Sequence, residues 1–182
     1  MNILYNLFYY TYRLPLLETA IGIVLIGPVW GLMMRLLSRG SAGAVRVINT
    51  VLMLIALGGI AYITLLRGAR GEREVILQPL QSFIEAKQQR EMYRELLMNV
   101  LLFVPLGLTL PFALAPAGKV RLRHAGIALA AALVLSVAIE SVQYAFALGR
   151  CETDDVLSNV VGTAFGVCAC LIYCLLSNHR HD

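Results

Sequence analysis

Glu140 is the residue whose type and position most directly suggest chemistry. It interrupts an apolar stretch from Gly126 to Leu148, which is long enough for a helix that crosses a membrane. At a rise of about 1.5 Å per residue, it lies roughly 12 Å from the end of that stretch. An unpaired carboxylate at such a depth costs at least about 2.5 kcal/mol, so it normally faces other helices. Gln143 and Tyr144, at i+3 and i+4, share its face. We therefore predict a functional acid, with a structural ion pair as the alternative.

A second polar group lies at the start of the last apolar stretch. Asp155, Asn159, Gly162 and Gly166 follow one another at helical spacing and form one stripe. The two glycines make a GxxxG pair, which permits close approach of another helix. Such packing would hold the polar residues of the stripe rigidly. Asp154 and Asp155 also stand at a helix N-terminus, where the dipole favours carboxylates, so one of them is alternatively a helix cap.

Three arginines and an asparagine flank the apolar stretches near these acids. Arg67 follows the second stretch, Arg94 precedes the third and Arg150 follows the fourth. They are candidate counter-ions for Glu140, and arginine also binds phosphate or carboxylate groups bidentately. Asn99, just inside the third stretch, adds a neutral hydrogen-bonding group. This combination indicates a binding site of mixed charge.

The elements that must position these residues are apolar stretches of about twenty residues, the length that crosses a hydrocarbon core. The chain is 59% hydrophobic and 14% charged, whereas soluble domains carry about 25% charged residues. The predicted spans are Leu16–Leu37, Val45–Leu66, Leu96–Leu114, Gly126–Leu148 and Asp155–Leu176. Because successive spans alternate in direction, the ends of spans two and four meet the starts of spans three and five at one membrane face. The predicted fold is an all-α polytopic bundle of about five transmembrane helices.

Two further segments lie outside these spans. Four aromatic residues fall at helical spacing before span one, which predicts a short interfacial N-terminal helix, with a frayed extension of span one as the alternative. They are Tyr5, Phe8, Tyr9 and Tyr12. Between spans two and three, residues 67–95 mix charges of both signs around VILQPLQSFI, which is too short to span. We predict that this segment is partly re-entrant or interfacial.

The positions of lysine and arginine predict the orientation. Two short loops carry basic residues and no acid, namely Arg35, Arg39 and Arg46 after span one, and Lys119, Arg121 and Arg123 after span three. Such loops normally stay in the cytoplasm. This places the N-terminus and the polar face outside and the C-terminus inside. A raw tally that includes residues 67–95 gives 7 basic residues inside and 8 outside, so the prediction depends on the short loops.

Other kinds of site are disfavoured. The net charge of +4 does not indicate nucleic-acid binding, because the basic residues lie between apolar stretches and form no continuous stripe. Three of the four cysteines, Cys168, Cys170 and Cys174, lie within span five, where cysteine acts as a small hydrophobic residue. We predict no disulfide, no metal site and no cofactor.

The segment from Tyr62 to Gly166 resembles the VanZ-like family of small membrane proteins. The matching positions are Thr64-Leu65 with Arg67, Pro79, NVLLFVPLG at 99–107, Glu140 and Gln143 as E-x-x-Q, and Arg150, Asp155, Asn159, Gly162 and Gly166 within GRCETDDVLSNVVGTAFG. One departure is ILQPLQSF around Pro79, where the family tends to have a polar Asn and an aromatic residue. The resemblance implies a VanZ-like membrane domain at 62–176. Residues 1–61 then hold the N-terminal helix, span one and most of span two, and 177–182 form a polar tail.

The resemblance implies a multi-pass protein of the bacterial cytoplasmic membrane. The family's founding member is associated with resistance to teicoplanin, a glycopeptide antibiotic that acts on cell-wall precursors. Expected partners are membrane lipid and a glycopeptide or cell-wall precursor. GxxxG pairs at Gly27–Gly31 and Gly162–Gly166 also permit a homo-oligomer.

Three functions stay open. In a binding protein, the polar face would engage a lipid headgroup, a cell-wall precursor or the antibiotic. The ligand-binding residues would be Arg67, Arg94, Asn99, Gln143, Arg150 and Asn159. In an intramembrane enzyme, Glu140 would be a general acid or base and Asp155 a second carboxylate or metal ligand, since the sequence offers no Ser/His pair and no HExxH. A proton-coupled transporter would use Glu140 as a relay, although no inverted repeat is visible.

Overall fold

The computed structural model describes residues 16–37, 42–66, 74–80, 90–115 and 119–178. In chain order, the helices are α1 (Leu16–Leu37), α2 (Ala42–Ala61), α3 (Arg90–Leu114), α4 (Leu122–Phe146) and α5 (Thr153–Asn178). Helix α2 continues into a π-helical turn, Tyr62–Leu66. Two short strands, β1 (Val75–Ile76) and β2 (Cys151–Glu152), pair in parallel.

All five helices are long and apolar enough to cross a membrane, which confirms the predicted all-α polytopic fold. Helix α1 has the predicted bounds. Helix α3 begins at Arg90, earlier than the predicted Leu96, and α5 extends to Asn178. Hydropathy detects only the apolar part of a helix, whereas the backbone hydrogen bonds continue into the polar interface.

Helix α3 is the centre of the bundle. It packs against each of the other four helices, and half of its apolar span is buried. Phe103, Val104, Leu106 and Leu108 are each at most 2% exposed. The other helices present large apolar side chains outward, as expected where the surrounding solvent is lipid. The residues carried on α3 are therefore held by contacts with several helices.

Helices α3 and α5 touch backbone to backbone through glycines. A Cβ atom at Gly162 would clash with the carbonyl group of Val100, and one at Gly166 would clash with that of Val104. Gly107 on α3 faces the carbonyl of Thr163 in the same way. This is the close approach that a GxxxG pair permits in a membrane.

The second GxxxG pair, Gly27–Gly31, also lies against a helix of the same chain. A Cβ atom at Gly27 would come within 2.9 Å of the Ala169 side chain on α5, and one at Gly31 within 3.4 Å of Tyr173. A homo-oligomer formed through either pair would therefore have to compete with these internal contacts.

Asn49, in the first half of α2, is a buried polar residue that the sequence did not single out. Asn49 is 0% exposed. Its side-chain oxygen accepts a hydrogen bond from Trp30 Nε1 at 3.2 Å, and its Nδ2 donates to the Val45 carbonyl at 2.8 Å. The Trp30 ring also packs edge-on against Tyr173, with ring centroids 5.4 Å apart. With its oxygen and nitrogen both hydrogen-bonded, Asn49 joins α1 to α2.

Part of the polar segment between spans two and three is described. Residues 74–80, here called the strap, run along the N-terminal end of α5, because β1 pairs with β2 immediately before that helix. Whether the segment is interfacial or re-entrant stays a prediction, and what is observed is its attachment to the start of α5. The predicted N-terminal interfacial helix and residues 67–73 and 81–89 lie outside the described residues.

Candidate functional site

Four helix ends meet at one face of the bundle, as the alternation of the spans predicts. The π turn after α2 and the C-terminus of α4 lie beside the N-termini of α3 and α5. We call this end of the bundle the polar face. Every one of these elements contributes a polar group to it, the π turn through the Thr64 backbone carbonyl, and the strap is bonded to the start of α5.

Glu140 lies on the buried side of α4 and is 4% exposed. Its Oε2 accepts a hydrogen bond from the backbone N–H of Glu152 at 2.9 Å. The partner is therefore a backbone group of the α4–α5 connection, where the sequence suggested an arginine. A backbone N–H neutralises no charge, but it holds the carboxyl group in one orientation.

Arg150 pairs with the neighbouring Glu152. Its Nε lies 2.8 Å from Glu152 Oε1, and the arginine side chain is 43% exposed. The ion pair thus sits at the rim of the polar face, while the backbone of the same Glu152 binds Glu140 below it. This arginine acts on Glu140 only through the residue between them.

Asp155 joins α5 to α3. Its Oδ1 accepts a hydrogen bond from Asn99 Nδ2 at 2.7 Å. It also lies within electrostatic range of Glu140, Glu152 and Glu95. The two acids singled out in the sequence, on different spans, are thus brought together, with Asn99 as a direct partner of one of them.

Asn159 lies one turn deeper on α5 and is 3% exposed. Its Nδ2 donates to Ser136 Oγ at 2.7 Å, whereas its Oδ1 has no hydrogen-bond partner within the described part of the chain. Ser136 is fully buried and stands one helical turn before Glu140. The sequence analysis missed Ser136, although its position at i−4 on the face of Glu140 was a usable signal.

Gln143 ties α4 to the end of α2. Its Nε2 donates to the Thr64 carbonyl at 3.0 Å. Carbonyl groups in the last turn of a helix have no partner within the helix, so this bond satisfies one of them. The Gln143 Oε1 atom is buried and has no partner among the described residues.

The strap is tied to the N-terminus of α5 by its backbone. The Cys151 N–H donates to the Glu74 carbonyl at 3.0 Å, and the Leu80 N–H donates to Asp154 Oδ1 at 2.6 Å. Leu80 has a φ of 65°, a left-handed conformation that is unfavourable for leucine. Asp154 is 2% exposed, so it holds the strap from inside the protein.

Of the other two predicted arginines, the structure describes one. Arg94 is half-buried on the first turns of α3 and interacts with other groups. Arg67 lies outside the described residues. The structure therefore brings together Asn99, Glu140, Gln143, Asp155 and Asn159, with Arg150 at their rim.

Cys151 lies beside the site, in the α4–α5 connection. Burial raises the pKa of its thiol, and the negative charges of Glu140, Asp155 and Glu152 raise it further. A thiol with a raised pKa carries little thiolate at neutral pH and is a poor nucleophile. This argues against a reactive cysteine at the polar face.

The site offers mainly hydrogen-bond acceptors. Glu140 and Asp155 present carboxylate oxygens, and Gln143 and Asn159 present amide oxygens that no described residue satisfies. The amide nitrogens of Gln143 and Asn159 already donate to protein groups. Buried polar atoms in folded proteins are normally satisfied, so these two oxygens are acceptors that the described residues leave available.

Comparison with known proteins identifies the family. A model of the VanZ/LLP1 family matches residues 50–176. Protein VanZ of Enterococcus faecium is 34% identical over 92 residues, which is 50% of this chain and 50% of that protein. The matched region thus spans half the length of this relative. No solved structure matches the chain. Since the family model covers more than half of the sequence and every candidate site residue, the chain belongs to the VanZ/LLP1 family and is a VanZ-like multi-pass membrane protein.

Proposed function

We propose that this protein confers or modulates tolerance to teicoplanin, or serves a related envelope function, by binding a polar envelope ligand at the polar face. Membership of the VanZ/LLP1 family supports the link to glycopeptide tolerance. The relative that carries the name Protein VanZ aligns over half its length, so its function is taken here only as the basis of a proposal.

One observation carries the binding proposal. Asn159 is almost completely buried, yet its Oδ1 has no partner among the described residues. Leaving a buried acceptor unsatisfied costs about 1–3 kcal/mol. A membrane protein can retain such an atom at little net cost if a ligand supplies the missing donor. The remaining site residues are already held in position by hydrogen bonds from other helices.

The proposed orientation places the polar face outside the cytoplasmic membrane. It is supported by the basic loops at the opposite end of the bundle, where the described Lys119, Arg121 and Arg123 lie around the start of α4. An outward site would meet cell-wall precursors and glycopeptides where they are exposed to the exterior of the cell.

An enzyme that uses two carboxylates is the second candidate. The proximity of the buried Glu140 and the half-buried Asp155 favours it, because two neighbouring acids can divide the roles of acid and base. Each of these carboxyl groups, however, accepts a hydrogen bond from the protein. Such a bond orients a carboxyl group for ligand binding as well as it does for catalysis. Binding requires only the acceptor pattern that is present.

The proposal is tested by teicoplanin susceptibility in a susceptible bacterial host. Wild type would be compared at matched membrane levels with Glu140→Gln, Asp155→Asn, Asn159→Ala and Arg150→Ala. Glu74→Gln is the matched control, because Glu74 is an exposed acid on the strap. We expect the three buried-site variants to lose most of the tolerance, Arg150→Ala to lose part, and the control to lose none.

Two outcomes separate the alternatives. Glu140→Gln keeps an oxygen for the Glu152 N–H, so a binding protein should retain measurable tolerance, whereas an enzyme that depends on this carboxylate should retain none. If all four site variants confer full tolerance, the proposed site is wrong.

A further inference from the structure

We propose that the site takes a primary ammonium group, so that its ligand is an amine rather than an anion. This inference rests on the proposed function, ligand binding at the polar face, and names the chemistry of that ligand. It follows from the direction in which hydrogen bonds run within the site.

Each donor group of the site already makes one hydrogen bond within the protein. The Asn99 amide nitrogen donates to Asp155, and the Glu152 backbone N–H donates to Glu140. Gln143 Nε2 donates to the Thr64 carbonyl, and Asn159 Nδ2 donates to Ser136. An anionic ligand would need several converging donors, and each of these groups already directs an N–H into the protein.

The acceptors are not exhausted. Asn159 Oδ1 and Gln143 Oε1 are buried and have no partner within the described residues. Asn159 is one turn from Asp155 on α5, and its partner Ser136 is one turn from Glu140 on α4. The Asn159 oxygen therefore lies one turn below the two carboxyl groups, while Gln143 lies nearer the membrane surface. A primary ammonium carries three N–H donors, which suits acceptors on several sides.

The charge of the site has the sign that an ammonium requires. Glu140 and Asp155 are close enough to interact, and the Glu152 carboxylate, which pairs with Arg150, also acts on Asp155. Placing a phosphate or carboxylate beside these acids would bring like charges together in a medium of low dielectric constant. An ammonium would instead complete the pairing of buried acids, which are stable when paired and hydrogen-bonded.

The oxygen atoms of the site suit an organic cation better than a metal ion. Among the described residues, no group of three or more His, Cys, Asp or Glu side chains is placed to hold a metal. Mg²⁺ prefers about six oxygen ligands in an octahedral arrangement, and Ca²⁺ takes about six to eight, often in a pentagonal bipyramid. The acceptors lie at successive depths over about two helical turns between Ser136 and Gln143, which suits an organic amine that carries a further donor beside its ammonium group, as ethanolamine does in its hydroxyl.

Two sources could present this group. One is a lipid with an ethanolamine headgroup, which reaches the polar face from the surrounding bilayer. The other is a soluble amine, such as an amino group of a glycopeptide or of a peptide in a cell-wall precursor. The shared chemistry is the primary ammonium, and separate arms of the experiment distinguish the sources.

The test uses the full chain in nanodiscs of phosphatidylglycerol, which has no amine. Thermal unfolding is followed by the fluorescence of Trp30, the only tryptophan. Ethanolamine is titrated against choline, whose nitrogen has the same charge but no N–H, and against inorganic phosphate. We expect ethanolamine to raise the Tm with half-saturation on the order of 1 mM, because so small a molecule has few atoms to contribute. An equal shift with choline, a shift with phosphate, or no shift with ethanolamine would overturn the proposal.

Two variants locate the effect. Asp155→Asn keeps the shape of the side chain but removes its charge, so the ethanolamine half-saturation should rise about tenfold. Asn159→Ala removes the unsatisfied oxygen and should weaken binding in the same direction. Glu74→Gln on the exposed strap is the control and should match wild type. An unchanged response in folded Asp155→Asn would show that the amine binds elsewhere and would overturn the assignment.

The source arm replaces half of the lipid with phosphatidylethanolamine. If a lipid headgroup occupies the site, the starting Tm rises and added ethanolamine has no further effect. If the ethanolamine response is unchanged there, a soluble amine is the ligand, and teicoplanin should shift the Tm more than its N-acetylated form. Either result supports the ammonium site and assigns its source.

The result is distinguishable from failure of the proposed function. Loss of teicoplanin tolerance in the site variants without any ethanolamine response would leave the binding function standing and overturn the ammonium inference. An ethanolamine response that disappears in Asp155→Asn, combined with full tolerance in that variant, would support the ammonium site and overturn the proposed function.

Discussion

Among the described residues, the hydrogen bonds that hold Glu140 and Asp155 at the polar face come from neutral donors. Glu140 receives a backbone N–H and Asp155 receives an asparagine amide, while Arg150 remains at the rim. A bound arginine would have neutralised the acids and fixed the site as a structural ion pair. Neutral donors fix the position of the carboxyl groups and leave their charge available to a ligand.

Cys151 provides a prediction about reactivity at this scale. Its pKa is raised, so the thiolate is scarce at neutral pH and increases only in the alkaline range. In a chain whose three α5 cysteines are replaced by alanine, alkylation of Cys151 in micelles should be slow at neutral pH and accelerate with rising pH. The measurement is the alkylation rate as a function of pH.

The control for that rate is Gln78→Cys in a chain without the native cysteines, because Gln78 is exposed on the strap. Its rate should exceed that of Cys151 at neutral pH. Equal rates at neutral pH would show that the thiol of Cys151 is neither buried nor surrounded by negative charge.

Much of the site could be predicted from residue type and spacing. Glu140 and Asp155 stood out because charges are rare in apolar stretches, and the structure places them in electrostatic range of each other. Asn49 and Ser136 did not stand out, because a single asparagine or serine in a helix can bond its own backbone or a neighbour equally well. Which of these it does depends on the packing of other helices, and the sequence of one helix carries no information about that.

At the scale of elements, the contact between α3 and α5 limits what can change. Gly162 faces the Val100 carbonyl, so alanine there must push the two backbones apart. We expect Gly162→Ala to lower the free energy of unfolding by about 1–3 kcal/mol, as overpacking usually does. The measurement is reversible unfolding in mixed detergent micelles, followed by Trp30 fluorescence.

Gly126→Ala is the matched control, since a Cβ atom there meets nothing within 4 Å. It should be neutral or stabilising by up to about 1 kcal/mol, because alanine favours the helix. Equal effects of the two substitutions would mean that the glycines of α5 do not mediate the contact with α3.

Helix bounds followed closely from hydropathy, but the irregular elements did not. The π turn at Tyr62–Leu66 and the pairing of β1 with β2 have no periodic signal in the sequence. Each strand has only two residues and is defined by its pairing with the other strand. Val75 and its partner Cys151 are 76 positions apart in the chain. Elements specified by such distant contacts are outside the reach of local patterns.

For the whole molecule, the orientation in the membrane decides what the polar face can meet. We predict that a chain with Gln78→Cys as its only cysteine is labelled by an impermeant thiol reagent in intact cells, because the proposed orientation puts the strap at the outward end. Gln78 is a better reporter than Cys151, which is half-buried and has a raised pKa.

The complementary reporter is Lys119→Cys in the same background, since Lys119 is exposed at the opposite end of the bundle. It should be labelled only after the cells are lysed. The reverse pattern would invert the proposed topology and place the site in the cytoplasm, although its internal geometry would be unchanged.

The bond between Glu140 and Glu152 also has a consequence for synthesis. The carboxyl group of α4 leaves the ribosome before the backbone group that holds it, and before α5 with Asp155 and Asn159. A lone α4 would enter the bilayer with an unsatisfied acid, which opposes its insertion. Because the connection between α4 and α5 is short, the two helices can leave the translocon together as a hairpin. The last span thus stabilises the one before it in the membrane, and the polar residues of α3, α4 and α5 come together only after α5 has been made.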